Sequence, residues 1–129
     1  MGGPSVQRPE RGFRLNDAAF AYYPRLQRVR AYVLTHLAEG ISLQDGARVA
    51  GYEGTYFCAW FHKRAGLPFM KWVRLLKVRQ ACTMLSSRDC SIAEVAQAVG
   101  FRSVRTFERA FRSAMRLSPR AFKVMARPS

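Results

Sequence analysis

Acidic residues are scarce in this chain: eight Asp and Glu stand against 22 Lys and Arg, a formal charge of +14 at pH 7 over 129 residues. So lopsided a balance excludes a cationic partner and calls for a polyanion, nucleic acid first and an anionic membrane surface second. Long apolar runs are missing too: no stretch approaches the eighteen or so residues a bilayer-spanning helix needs. The N-terminal MGGPSVQRPERGF also lacks the apolar centre of a secretory signal. A soluble chain without membrane partners is expected. Cys58, Cys82 and Cys90 cannot all pair within one chain, which argues against a disulfide scaffold and for a reducing cytoplasm. Histidine is limited to His36 and His62. With no phosphate-cradling Gly loop, no paired-carboxylate cluster and no nucleophile neighbouring His36 on its helix, catalysis is not expected and no catalytic residue is assigned. Cys58 and His62 lie one helical turn apart, but no second pair has ligand spacing, so no metal and no cofactor are expected.

What is present is a folded chain. Apolar residues make up 49% of it and nine Phe are spread along its length, which excludes a basic disordered tail. The most informative stretch is Ser91 to Pro119. Ser91 and Glu94 have capping-box spacing, and Ile92, Val95, Ala96 and Val99 recur at helical intervals before Gly100, a residue suited to a left-handed helix end. A second helix follows from Ser103, with Phe107, Phe111 and Met115 on one face and Arg105, Arg109, Arg112 and Arg116 on the other. Two short helices around a Gly-containing turn form a helix-turn-helix, whose second helix enters the DNA major groove.

The same unit occurs twice. Ser42/Ser91, Leu43/Ile92, Asp45/Glu94, Ala47/Ala96, Gly51/Gly100 and Tyr52/Phe101 lie 49 positions apart, and Phe57/Phe107, Phe61/Phe111, Leu67/Leu117 and Trp72/Phe122 lie 50 apart, one extra residue falling in the second turn. Recognition helices are expected at 54 to 65 and 103 to 115. Upstream, Pro24 opens a helix through Leu26, Val29, Val33 and Leu37 to Gly40, with Arg25, Arg28 and Arg30 on its exposed face. Between the copies, Phe69 to Ser87 has no Gly or Pro and reads as one spacer helix of about 27 Å, against about 34 Å between half-sites on DNA. Ser118-Pro119 opens a last helix through Phe122 and Met125. The expectation is an all-α protein of seven helices: a mobile basic arm over 1–23, a first helix-turn-helix subdomain over 24–67, a spacer helix over 68–87 and a second subdomain over 88–129.

These residues resemble the DNA-binding domain of the AraC/XylS transcription regulators. The resemblance is carried by Ile92-x-x-Val95-Ala96, Val99-Gly100-Phe101, Phe107-x-Arg109-x-Phe111 and Leu117-Ser118-Pro119-x-x-Phe122, echoed in the first copy, and covers roughly residues 26 to 124. It implies seven helices in two subdomains, sequence-specific promoter binding to double-stranded DNA, usually as an activator, contact with RNA polymerase, and a bacterial cytoplasmic, nucleoid-associated location. Most members also carry a sensing or dimerisation domain. That domain has no room in 129 residues, so the chain is similar either to short stand-alone members or to an excised domain.

The first recognition helix departs from the family pattern, which often places a polar residue and then Arg where this chain has Cys58 and Ala59. Thr55, Tyr56, Cys58, Ala59, His62 and Lys63 are its DNA-facing candidates, suited to thymine methyls or phosphates more than to guanine. In the second helix the candidates are Ser103, Val104, Arg105, Thr106, Glu108, Arg109 and Arg112. Arg105 or Arg109 suits a guanine bidentately and Glu108 suits cytosine. Arg102, Arg105, Arg109, Arg112, Arg116, Arg120, Lys123 and Arg127 form a basic stripe without an acidic partner, expected to meet phosphate. Arg74, Lys77 and Arg79 on the spacer suit phosphate or solvent equally. Phe57, Phe61, Phe107 and Phe111 are expected as subdomain cores, Cys82 as a small apolar filler and Cys90 as a loop residue. Two unlike copies in tandem need no palindrome and no second subunit, so a monomer on an asymmetric site is expected. The rival reading is a basic adaptor that binds nucleic acid or acidic partners by charge alone.

Overall fold

A computed structural model describes residues 15–87 and 89–126, which form two compact units, Leu15–Lys77 and Val78 onward. Residues 1–14 of the expected arm, and Arg127 of the basic stripe, lie outside the described residues. Among the described residues the structure is all-helical, with eight α-helices where seven are expected.

The additional helix is α1 (Asp17–Tyr22), in a stretch the sequence reading assigns to the arm. It is held by one ring: Phe20, 1% exposed, stacks on Trp72 at 4.8 Å between centroids and lies 6.0 Å from Phe61. Just before it, Asn16 adopts the left-handed conformation and its side-chain amide donates to the Ala65 carbonyl at 2.9 Å. A six-residue helix with a single apolar anchor has no period to detect, which is why a stretch that buries Leu15 and Phe20 reads as arm.

Helix α2 (Pro24–Thr35) starts with Pro at its first turn and buries Leu26, Val29 and Val33. It gives way to a 3₁₀ turn, Leu37–Glu39, ended by Gly40. The helix-turn-helix of this unit is α3 (Leu43–Ala50) and α4 (Gly54–Ala65). Ser42 and Asp45 complete the capping box, with Asp45 N–H donating to Ser42 Oγ at 3.2 Å and Ser42 N–H to Asp45 Oδ2 at 2.9 Å. At the other end of α3, Gly51 sits at φ 78°, its N–H donating to the Arg48 carbonyl while the Tyr52 N–H reaches the Ala47 carbonyl. That pair of bonds is the Schellman motif.

Helix α5 (Phe69–Ser87) is continuous, as expected, but it is more than a spacer. Phe69 and Trp72, at 2% and 1% exposure, join Phe57 and Phe61 in the first aromatic core. Val78, Ala81, Cys82 and Leu85 belong to the core of the second unit. Its two halves therefore have separate core duties.

In the second unit, α6 (Ile92–Ala98) carries the Ser91–Glu94 capping box, and α7 (Val104–Met115) is capped by Ser103 Oγ on the Thr106 N–H at 3.1 Å. The intervening turn repeats the Schellman bonds, Gly100 N–H to Gln97 and Phe101 N–H to Ala96. Helix α8 (Pro119–Ala126) begins behind the Ser118 cap, and its Phe122 closes the core over Phe111 at 5.6 Å. Phe107, Phe111 and Met115 bury the inner face of α7, and Cys82 is buried beside them.

Candidate nucleic-acid interface

Packing decides which face of each second helix is free. Phe57, Phe61 and Ala65 turn the inner side of α4 into core, so Thr55, Tyr56, Cys58, Ala59, His62 and Lys63 are left exposed. On α7, with Phe107, Phe111 and Met115 inward, Val104, Arg105, Thr106, Glu108, Arg109 and Arg112 are exposed behind the exposed cap Ser103. Each group of candidates thus shares the solvent side of one helix.

The two helix starts differ electrostatically. At α4 the cap is Glu53, whose carboxylate accepts the N–H of Thr55 at 2.9 Å and of Tyr56 at 3.1 Å; those bonds hold its pKa below the usual value. At α7 the cap is the neutral Ser103. A positive helix end already holding a carboxylate is a poorer seat for phosphate than one capped by a hydroxyl. Beside the start of α7 an open groove of about 370 Å³ is lined by Ala93, Ala96, Gln97, Phe101, Arg102, Ser103 and Val104. Sequence reasoning missed Gln97 because it lies on α6, outside the recognition helix.

Not every cation is available to a ligand. Arg25 donates to the Ala50 carbonyl and lies 4.7 Å over the Tyr52 ring, tying α2 to the end of α3 instead of facing solvent as expected. Arg48 bonds Asp45 at 3.1 Å and the Tyr32 hydroxyl at 3.2 Å. Lys123, expected in the basic stripe, donates to the Cys90 carbonyl across the turn before α6. Burial, then Arg74, pushes the Lys77 ammonium below its usual pKa. By contrast Arg102, Arg105, Arg109, Arg112, Arg116 and Arg120 are exposed, and no ion pair holds them among the described residues. Cys58 and His62 are exposed on α4, and no group of three or more metal-binding side chains occurs among the described residues.

A short helix, a Schellman turn and a second helix with an exposed outer face, present in both units, define a tandem helix-turn-helix protein. The chain belongs to the AraC-type helix-turn-helix domain family: the family model described as a helix-turn-helix domain matches residues 46–124. It is 28% identical over 93 residues to YobQ, an HTH-type transcriptional regulator of Bacillus subtilis, covering 72% of this chain and 39% of that one. It is 31% identical over 102 residues to the MmsAB operon regulatory protein of Pseudomonas aeruginosa, covering 79% of this chain and 33% of the relative. The chain thus spans little more than a third of the length of these relatives. Among solved structures, the DNA-binding domain of the transcriptional factor AdpA, in complex with a target DNA, superposes with a TM-score of 0.72 at 31% identity, over 75% of this chain and 87% of that one. The fold and family are those of a transcription regulator's DNA-binding domain. No helix among the described residues is long and apolar enough to cross a membrane.

Proposed function

We propose that this chain binds double-stranded DNA sequence-specifically and regulates transcription, with α4 and α7 as its two recognition helices. The observation that carries this is the outer face of α7, where Arg105, Glu108, Arg109 and Arg112 stand exposed behind a helix fixed by a fully buried Phe107 and Phe111. Arg105 and Arg109 offer guanidinium forks to guanine and Glu108 an acceptor to cytosine, while Arg102 and the Ser103-capped start of α7 supply a phosphate seat. Two unlike helices in tandem suit one asymmetric site of about twenty base pairs, two helical turns of about ten each, bound by a monomer. Activation, with contact to RNA polymerase, is the family's usual output and the one we assign. In vitro selection from a random duplex library tests the reading. An asymmetric consensus bound well above bulk DNA at moderate salt is expected, whereas indistinguishable affinities would mean a charge-only adaptor.

A further inference from the structure

Resting on that reading of α4, we propose that the first recognition helix reads the C5-methyl groups of pyrimidines in the major groove. The sequence leaves phosphates and methyls as alternatives for this helix, and three observations separate them. First, the start of α4 already holds an anion: Glu53 accepts both the Thr55 and Tyr56 N–H groups, so a phosphate there would meet satisfied donors and a like charge. Second, Thr55 is exposed at the first turn of α4, and its side chain carries a methyl of the kind that packs on a pyrimidine methyl. Third, Tyr56 is 57% exposed yet fixed, its ring edge-on to Tyr52 at 4.7 Å, with Tyr52 in turn against Trp60 at 5.2 Å and under the Arg25 guanidinium. A ring so held is an apolar surface with little side-chain freedom left to lose.

The chemistry of the helix agrees. From Gly54 to Phe61 no residue carries an amide, guanidinium, ammonium or carboxylate. No side chain in those two turns can therefore make the bidentate bonds that distinguish guanine or adenine. What remains is the exposed set of the Thr55 methyl, the Tyr56 ring, the Cys58 thiol and the Ala59 methyl. Among the groups that base pairs present in the major groove, only the C5-methyl is apolar. Thymine and 5-methylcytosine share it. His62, Lys63 and Arg64 lie in the last turn of α4, where cations are favoured and any phosphate contact by this helix belongs.

Single-atom substitution in the DNA isolates the contact. Starting from the duplex recovered by selection, each thymine is replaced in turn by deoxyuridine, which removes the methyl alone, and affinity is measured with the full chain. One or two thymines in one half of the site should lose about fourfold each, the expected worth of one buried methyl. At those positions cytosine and 5-methylcytosine are compared: tighter binding of the methylated base shows that either source of the methyl is read, and equal binding confines the reading to thymine. Tyr56→Ala or Thr55→Ser should abolish the uracil effect at one of these positions, while Tyr56→Phe should preserve it. A selected site indifferent to uracil throughout, or a uracil effect untouched by Tyr56→Ala and Thr55→Ser, would overturn the inference while leaving sequence-specific binding intact. Absence of any preferred duplex would overturn the reading on which it rests as well.

Discussion

Arg109 and Ala59 are repeat equivalents, 50 positions apart, as are Glu108 and Cys58 and Arg105 and Thr55. All six are exposed on the outer faces of their helices, so the same geometry presents long polar groups in one unit and short ones in the other. We therefore propose that directional reading of base edges is concentrated on α7. Arg109→Ala should cost about 1 to 3 kcal/mol on the best site and relax preference at one or two base pairs, the loss of a bidentate contact. Cys58→Ala should change affinity little, because a thiol is a weak donor with no bidentate partner. A binding profile over single-base variants of the site checks both. Were Arg109→Ala to lower every affinity equally, its guanidinium would be holding phosphate; were it silent while Cys58→Ala was damaging, the assignment of reading to α7 would be wrong. Another pair of equivalents diverges without regard to DNA: α4 ends in the left-handed Gly66 at φ 90°, and α7 in the left-handed Arg116 at φ 65°. A non-glycine residue there carries a steric cost.

Compensation between elements explains why two copies of one motif tolerate different cores. Gly46, in α3, is equivalent to Val95 in α6, and Phe69 in α5 to Pro119 in α8; all four are buried. A Cβ on Gly46 would come within 2.7 Å of the Phe69 ring and 2.8 Å of the Phe57 ring. The first unit thus spends its volume on Phe69 and leaves α3 bare, whereas the second places Val95 in the position that no such ring occupies. Gly46→Val should destabilise the first unit by about 1 to 3 kcal/mol or more, as overpacking does, despite the better helix propensity of Val. Chemical unfolding followed at Trp72 is the measurement, and an unchanged midpoint would show that the two rings have room to move. The same pairs show what was legible in the sequence. Capping boxes, glycine turns and four-residue Phe spacing are local, so α3, α4, α6 and α7 and their exposed faces could be read directly. Phe20 on Trp72 is a contact across most of the first unit's length, and the double duty of α5 depends on cores built from distant residues; neither leaves a periodic trace. Arg25 and Lys123 depart from expectation for a related reason, since periodicity places a cation on an outer face but does not encode the carbonyl that a neighbouring element brings to it.

For the molecule as a whole, the formal net charge is +14. Of the eight acidic residues, Asp45, Glu53 and Glu94 are engaged at the starts of α3, α4 and α6, where helix N–H groups hold them and depress their pKa values. Of these three, only Asp45 also pairs with an arginine among the described residues. The exposed arginines from Arg102 to Arg120 are thus left to neutralisation by salt or by a polyanion. Binding to DNA should release the counterions condensed on each neutralised phosphate, giving a slope of about −0.9 in log K against log salt per contact. With six to ten contacts, affinity should fall by about 10³ to 10⁵ between 50 and 200 mM salt. Arg102, at the turn beside the start of α7, is the position to vary. Arg102→Ala should weaken binding by a similar factor on every sequence and reduce the slope by about one unit, whereas Arg109→Ala should weaken the best site most. Titrations of the selected duplex and of a scrambled duplex at several salt concentrations separate the two. A flat salt response would remove electrostatic docking from the account, and an Arg102→Ala effect confined to the selected sequence would make that side chain a reader of bases instead of an anchor on the backbone.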